Sequence, residues 1–391
     1  MTAISTCIIG LGHRIASVLP EFHAAAPGLD VLGVSDPEST HLEVLDRIGA
    51  APAFHDDPAA MLKALRPRMV MIGSPNHLHL EHLRIALESD VPFIFAEKPV
   101  VISVAETMEL ARLIARHDGR RRLMVGLVLR YSALYRALRR AQADGHIGEV
   151  MSIEASEHIA PYHGSFFMRD WRRSTAMTGG FMLEKCCHDI DLYQGVVGRR
   201  PARVASFGGR KKYLPERRPA GRPAYLDEKL PRWHGIEDAF SGEADIIDYQ
   251  TALVEYEGGA SLAFHTNLNV PDQFRRFAVI GTEGMAEGDF IRNSFRVTLS
   301  DTGAQVADAA AIGSGSEAGH YGADAQMAAD IVAHVEGRMP HLPLSVTDAL
   351  ESGLTALAMD IARTGGRVVE MAPIWAEFDA ALGAPAMAEG V

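Results

Sequence analysis

Two rhythms of apolar residues run through this chain, and they change over near residue 130. Before that point, short apolar runs alternate with stretches whose apolar residues recur every three or four positions, which predicts strands alternating with helices. Residues 6–9 read as a strand ending in Gly10-Leu11-Gly12, and Ile15, Val18, Leu19 and Phe22 then mark one helix face. Residues 31–34 form the next strand, closed by Ser35-Asp36-Pro37, with Leu42, Val44, Leu45 and Ile48 on a second helix. Asp56-Asp57-Pro58 opens a third helix with a capping residue and a proline near its first turn. Strands at 69–72 and 93–96, a helix through Leu80, Leu83 and Leu87, a helix over 103–117 and a strand over 123–128 complete the series. Strands that are apolar throughout and separated by helices imply a parallel sheet covered on both faces.

Beyond residue 130, a helix over 133–143, closed by Gly145 and Gly148, leads into alternating segments at 150–159, 252–256, 261–268 and 277–280. Such alternation predicts an open, largely antiparallel sheet with one face packed on helices. The stretch 209–234 is rich in Pro, Arg and Lys and reads as a long surface loop or lid. Its cations Arg210, Lys211, Lys212, Arg217 and Arg218 suit a solvated loop, with oligomer contact or substrate access as the other readings. Helices near 324–336 and 346–364 close the fold, and the Ala/Gly-rich tail after Leu382 is expected to fray. The fold class is α/β, with a first domain over 1–129 and a second, α+β domain over 130–391.

Composition narrows the function. A length of 391 residues suits two domains. The net charge of −12 argues against broad affinity for nucleic acid or an anionic membrane. No apolar window approaches the roughly 20 residues of a membrane span, and no secretory signal is readable. Cys7, Cys186 and Cys187 cannot make a disulfide framework, so a reduced, cytoplasmic protein is expected.

Three motifs carry chemistry. Gly10-Leu11-Gly12 lies between a strand and a helix, where glycines let a pyrophosphate approach the helix N-terminus. Ile15 stands at the usual third glycine, but Asp36 follows the second strand at the spacing of a carboxylate that binds an adenosine ribose. Without a basic residue directly after it, Asp36 favours NAD, leaving NADP possible through Arg14. Glu97-Lys98-Pro99 places a lysine outside the carboxyl end of a parallel strand, where ligands bind in such sheets. The proline can be cis. Finally, Gly179-Gly180 leads to Glu184, His188 and Asp191, which fall at i, i+4 and i+7 on one predicted helix. That stripe is open to three readings: a satisfied structural cluster, a zinc site with Cys187, or general acid/base groups. No second histidine or cysteine pair has ligand spacing nearby, so no metal is assigned.

In these residues the sequence resembles the Gfo/Idh/MocA oxidoreductases, over most of the chain. Ser74-Pro75-Asn76 with His79, then Glu97-Lys98-Pro99, then the Gly179-Gly180 segment with Glu184, His188 and Asp191 follow the family's order. Arg130-Tyr131 and the run His320 to Asp324 resemble segments near its substrate cleft. The resemblance implies a Rossmann domain, a second domain whose open sheet forms a homodimer or homotetramer, and NAD(P)-dependent oxidation of a secondary hydroxyl on a sugar or cyclic polyol. It implies a cofactor surface of Gly10, Gly12, His13, Arg14, Ile15, Asp36, Ser74, Pro75, Asn76, His79, Glu97 and Lys98. His188 is the expected base toward the alcohol, since an imidazole titrates near neutrality. Lys98 can donate to the same oxygen and stabilise developing alkoxide. Glu184 is expected to orient His188 or grip an adjacent hydroxyl. Arg130, Tyr162, Arg169, Trp171 and His320 are further substrate candidates, whereas His158 and His163 are read as structural. Two features depart from the family: Glu184 stands where inositol dehydrogenases usually carry Asp, and Ile15 replaces a small residue. A non-catalytic NAD-binding regulator and a redox-neutral NAD-dependent glycosidase are the rival readings.

Overall fold

A computed structural model describes residues 4–38, 40–309, 312 and 319–383, which form two compact units. The first holds the chain up to Ser132, a return segment ending at Gly353 and the terminal stretch from Ala372. The second holds the chain from Ala133 and comes back for Leu354–Met371. The first unit is therefore built from three stretches of chain, where one cut after residue 129 was expected.

Among the described residues of the first unit, six strands make one sheet: β1 Ile4–Ile9, β2 Leu29–Ser35, β3 Ala53–Phe54, β4 Met69–Ile72, β5 Phe93–Ala96 and β6 Leu123–Val125. Their order is β3-β2-β1-β4-β5-β6, every pair parallel, which is the doubly wound order of a Rossmann sheet. Local chemistry sets the helices between them. Asp57 caps helix Pro58–Leu65 by accepting the Ala59 and Ala60 amides. Ser103 accepts the Glu106 amide at the start of helix Val104–Arg116. Buried Val18, Leu19 and Phe22 of helix His13–Ala25 pack with Met327, Ile331 and Val332 of helix Ala323–Val335 in the same core. Three details differ from the sequence reading. The strand expected over 123–128 stops at Val125, because residues 128–131 wind into a 3-10 turn. β3 is too short to show a period, and helix Ala372–Ala381 had not been anticipated.

The second unit carries nine strands among its described residues, β7 Val150–His158, β8 Pro201–Gly209, β9 Tyr249–Tyr256, β10 Ser261–Asn267, β11 Phe274–Gly281, β12 Gly284–Asp289, β13 Ser294–Leu299, β14 Gln305–Ala309 and β15 Val369–Glu370. They run in the order β14-β13-β12-β11-β7-β10-β9-β8-β15. Only the β7 and β10 pair is parallel, so the sheet is mixed and mostly antiparallel. Along β9, Gln250, Ala252, Val254 and Tyr256 are buried while Leu253 is 53% exposed, the alternation of a sheet covered on one face. The expected loop is longer than 209–234: apart from two 3-10 turns, the chain stays irregular until Tyr249. The expected fraying of the tail falls outside the described residues beyond Gly383.

Candidate functional site

In the first unit, the turn after β1 is shaped by contact with the turn after β4. Gly10 has φ +80°, and a Cβ there would lie 2.4 Å from the Ser74 amide nitrogen, so no other residue fits. Gly12 precedes helix His13–Ala25, whose first turn carries no acidic residue and no capping side chain. Backbone amides at that end can therefore receive an anion. Ile15 proves compatible with this close packing, because the space is made on the strand side: a Cβ on Gly73 would meet Ile15 Cγ1 at 2.1 Å. Asp36 accepts the Leu11 amide at 2.6 Å and the Glu38 amide at 2.8 Å, fixing the turn from the end of β2. Burial raises its carboxyl above the usual range in spite of these bonds. A glycine cradle, an open helix end and a carboxylate beside them form a donor set that fits a dinucleotide.

His79 is 1% exposed, and its ring nitrogens meet the Ser74 carbonyl at 2.8 Å and the Pro99 carbonyl at 2.7 Å. It is a strut between two turns. Asn76 is buried in the 3-10 turn Asn76–Leu78. Lys98, at the end of β5, is half-buried and its bond to Pro99 is cis. Arg14 was expected to soften the preference for NAD. Instead its guanidinium is bidentate to Asp324, at 2.6 and 2.8 Å, and lies 3.2 Å from Glu97 Oε1. Burial works against both acids. It raises the Glu97 carboxyl in spite of Arg14, whereas hydrogen bonds from Arg14 and His320 hold the Asp324 carboxyl well below its usual range. His320 therefore belongs to this network, with Nδ1 3.1 Å from Asp324 Oδ2. Arg130, 7% exposed, donates to the Pro343 carbonyl at 3.3 Å and lies 3.7 Å from Asp348.

In the second unit, the single helix expected through Glu184, His188 and Asp191 is broken. Phe181–Glu184 ends at Lys185, and a new helix, Cys187–Val197, begins after Cys186. At the break, Lys185 Nζ lies 3.0 Å from Glu157 Oε1 of β7. Next to it Arg275 of β11 is bidentate to Asp189, at 2.6 and 2.8 Å, and 3.4 Å from Glu157. Glu157, Asp189 and Arg275 are buried and anchor the first turn of the helix bearing His188, itself 3% exposed. His188 and Asp191 keep their common face, but Glu184 stands on the other helix. Its Oε1 accepts Arg172 Nε at 2.7 Å, and Arg172 also bonds Asp170 at 2.9 Å. The thiols of Cys186 and Cys187 are buried, and no group of three or more His, Cys, Asp or Glu among the described residues could hold a metal.

Arg169, at 1% exposure, donates to the carbonyls of Ser165, Leu226 and Lys229, tying the long loop to helix Pro161–Arg169. Trp171 is 6% exposed, with the Arg172 guanidinium 4.3 Å above its ring. Tyr162 is half-buried and stacks on His163. Burial, followed by Lys185, Lys229, Arg232 and Arg172, pushes His163 well below its usual value. His158 falls to about 4 through burial and then His265. Sequence reasoning missed the Arg172–Glu184 and Arg14–Asp324 pairs, whose members lie 12 and 310 residues apart. No local spacing could pair them.

A family model described as an oxidoreductase family with an NAD-binding Rossmann fold matches residues 4–127, and a GFO/IDH/MocA C-terminal domain model matches 135–287. D-glucoside 3-dehydrogenase of Escherichia coli is 30% identical over 69% of this chain and 72% of its own length. Inositol 2-dehydrogenase of Pseudarthrobacter chlorophenolicus is 26% identical over 68% of this chain and 72% of its own length. Among solved structures, scyllo-inositol dehydrogenase from Lactobacillus casei, with bound NAD(H) and scyllo-inositol, superposes with a TM-score of 0.71 at 19% identity. That match covers 95% of this chain and 100% of that one.

Proposed function

Because the chain belongs to the GFO/IDH/MocA oxidoreductase family, whose first domain is an NAD-binding Rossmann fold, we propose that it oxidises a secondary hydroxyl of a sugar or cyclic polyol, or reduces the keto form. The observation that carries this reading is the cradle of Gly10, Gly73 and Ser74 with Asp36 beside it, in a chain related to glucoside and inositol dehydrogenases. Gly10, Gly12 and His13 take the pyrophosphate, Asp36 the adenosine ribose, and Ser74, Pro75 and Asn76 line the nicotinamide half. Bound NAD supplies the hydride acceptor.

His188 takes the alcohol proton as its oxygen becomes a carbonyl. Lys98 donates to that oxygen and stabilises the negative charge that develops on it. Glu184, fixed by Arg172, grips a neighbouring hydroxyl, and Tyr162 and Trp171 contribute apolar surface to the sugar. The second unit's open sheet face, which exposes Phe207 at 73% and Leu253 at 53%, pairs with a second copy to give a dimer or tetramer. The test is NADH formation across a panel of sugars, inositols and their keto forms. Reduction of NAD by at least one of them is expected; NAD binding with no turnover anywhere on the panel would overturn the proposal.

A further inference from the structure

Ser74 closes the turn after β4 and is held from three sides. Its amide nitrogen lies 2.4 Å from where a Cβ on Gly10 would fall, its carbonyl meets His79 Nε2 at 2.8 Å, and its hydroxyl meets His82 Nδ1 at 2.8 Å. Both histidines belong to helix His79–Glu88. Two imidazoles three positions apart on one helix thus converge on a single residue of the nucleotide turn.

The helix does not by itself need a histidine at 82. Its buried face carries His79, Leu83, Ala86 and Leu87, and residue 82 falls at the edge of that face, half-buried, where an apolar side chain would pack without loss. An imidazole there gives up hydration. Burial, opposed only in part by Glu81, holds the ring below its usual value. His82 is therefore neutral at pH 7 and carries one ring proton. The bond it makes from this position is to Ser74 Oγ.

We infer that His82 is a positioning residue for the cofactor: it fixes the rotor of the Ser74 hydroxyl and so presets a hydrogen-bonding direction toward the nicotinamide half of the dinucleotide. A serine hydroxyl has one proton and two lone pairs, and a bond to an imidazole nitrogen uses one of the three. The other two then point in set directions. Without that bond the hydroxyl turns freely and has to be ordered each time a dinucleotide binds. His82 acts through Ser74, so the inference rests on the placing of Ser74 beside the nicotinamide half and requires no turnover.

Binding of NADH to the full chain, followed by the fluorescence of the bound nicotinamide, tests it. His82→Leu should weaken NADH about three- to tenfold, the worth of one hydrogen bond, and Ser74→Ala by a similar factor. The double variant should lose no more than the larger single, because residues in contact couple. Side-chain chemistry separates positioning from packing: Asn puts a polar atom where Nδ1 stands, and Gln puts one where Nε2 stands. His82→Asn should therefore bind NADH within about twofold of the parent, whereas His82→Gln should behave as His82→Leu. ADP, which lacks the nicotinamide half, should bind all variants alike in calorimetry. Unchanged NADH affinity in His82→Leu beside a weakened Ser74→Ala, additive losses, no rescue by Asn, equal rescue by Asn and Gln, or an equal fall for ADP overturns the role of His82 and leaves Ser74 in place. Unchanged affinity in Ser74→Ala, or a parent that does not bind NADH, removes Ser74 from the cofactor and His82 with it.

Discussion

Replacing Asp324 with Ala tests how the return segment is tied to the nucleotide turn of the first unit. Asp324 gives Arg14 two charge-assisted bonds, at 2.6 and 2.8 Å, and its side chain is 4% exposed while that of Arg14 is 20% exposed. Breaking one partner out of a buried pair costs about 3 to 5 kcal/mol. Glu97 stays 3.2 Å from Arg14 and water reaches part of the guanidinium, which reduces the expected loss to about 2 to 3 kcal/mol. The pH dependence has a definite sign. Hydrogen bonds hold the native Asp324 carboxyl well below its unfolded value of 3.8. Its contribution is therefore complete above about pH 4 and is lost as pH falls through the native value. Urea unfolding of parent and variant at pH 7 and pH 3 measures this through the midpoint, with the slope unchanged. A loss under about 1 kcal/mol at pH 7, or a gap that does not shrink in acid, would refute the reasoning. So would an Arg14→Met, Asp324→Ala double variant whose losses simply add, since contacting residues must couple.

Three further outcomes are expected. Asp36→Ala should weaken NAD by about 1 to 3 kcal/mol and narrow its advantage over NADP; a parent that titrates more tightly with NADP contradicts the role given to Asp36. Lys98→Met and His188→Gln should each cost about two decades or more of kcat, the double variant less than the product; turnover within a few-fold of the parent in both singles removes them from the chemistry. Leu253→Glu should split the oligomer in sedimentation, and a parent that already sediments as a monomer removes the sheet-face interface.

Local patterns determined the alternating half of this protein. Four-residue apolar runs fixed β4 and β5 whole, because a strand buried on both faces leaves an unbroken hydrophobic signature, and runs at 6–9 and 31–34 marked the carboxyl-terminal parts of β1 and β2, whose first residues are interrupted by Ser5 and Asp30. Asp57 announced its helix because caps act within three residues. The glycine turn, Asp36 and Lys98 were legible for the same reason: a strand end, its turn and the next helix are neighbours in the chain. Helical spacing failed where a distant partner had a stronger claim. The stripe from Glu184 to Asp191 suited one helix, yet the helix is interrupted at Lys185, which pairs with Glu157, 28 positions back on β7. Ile15 looked like a defect in the nucleotide turn until Gly73, on the facing strand end, supplied the missing space. The partners of Arg14 and Arg169, Asp324 and the loop carbonyls, were likewise not legible. A charged side chain must find a partner wherever burial carries it, and which group lies there is decided only when segments far apart in the chain pack together.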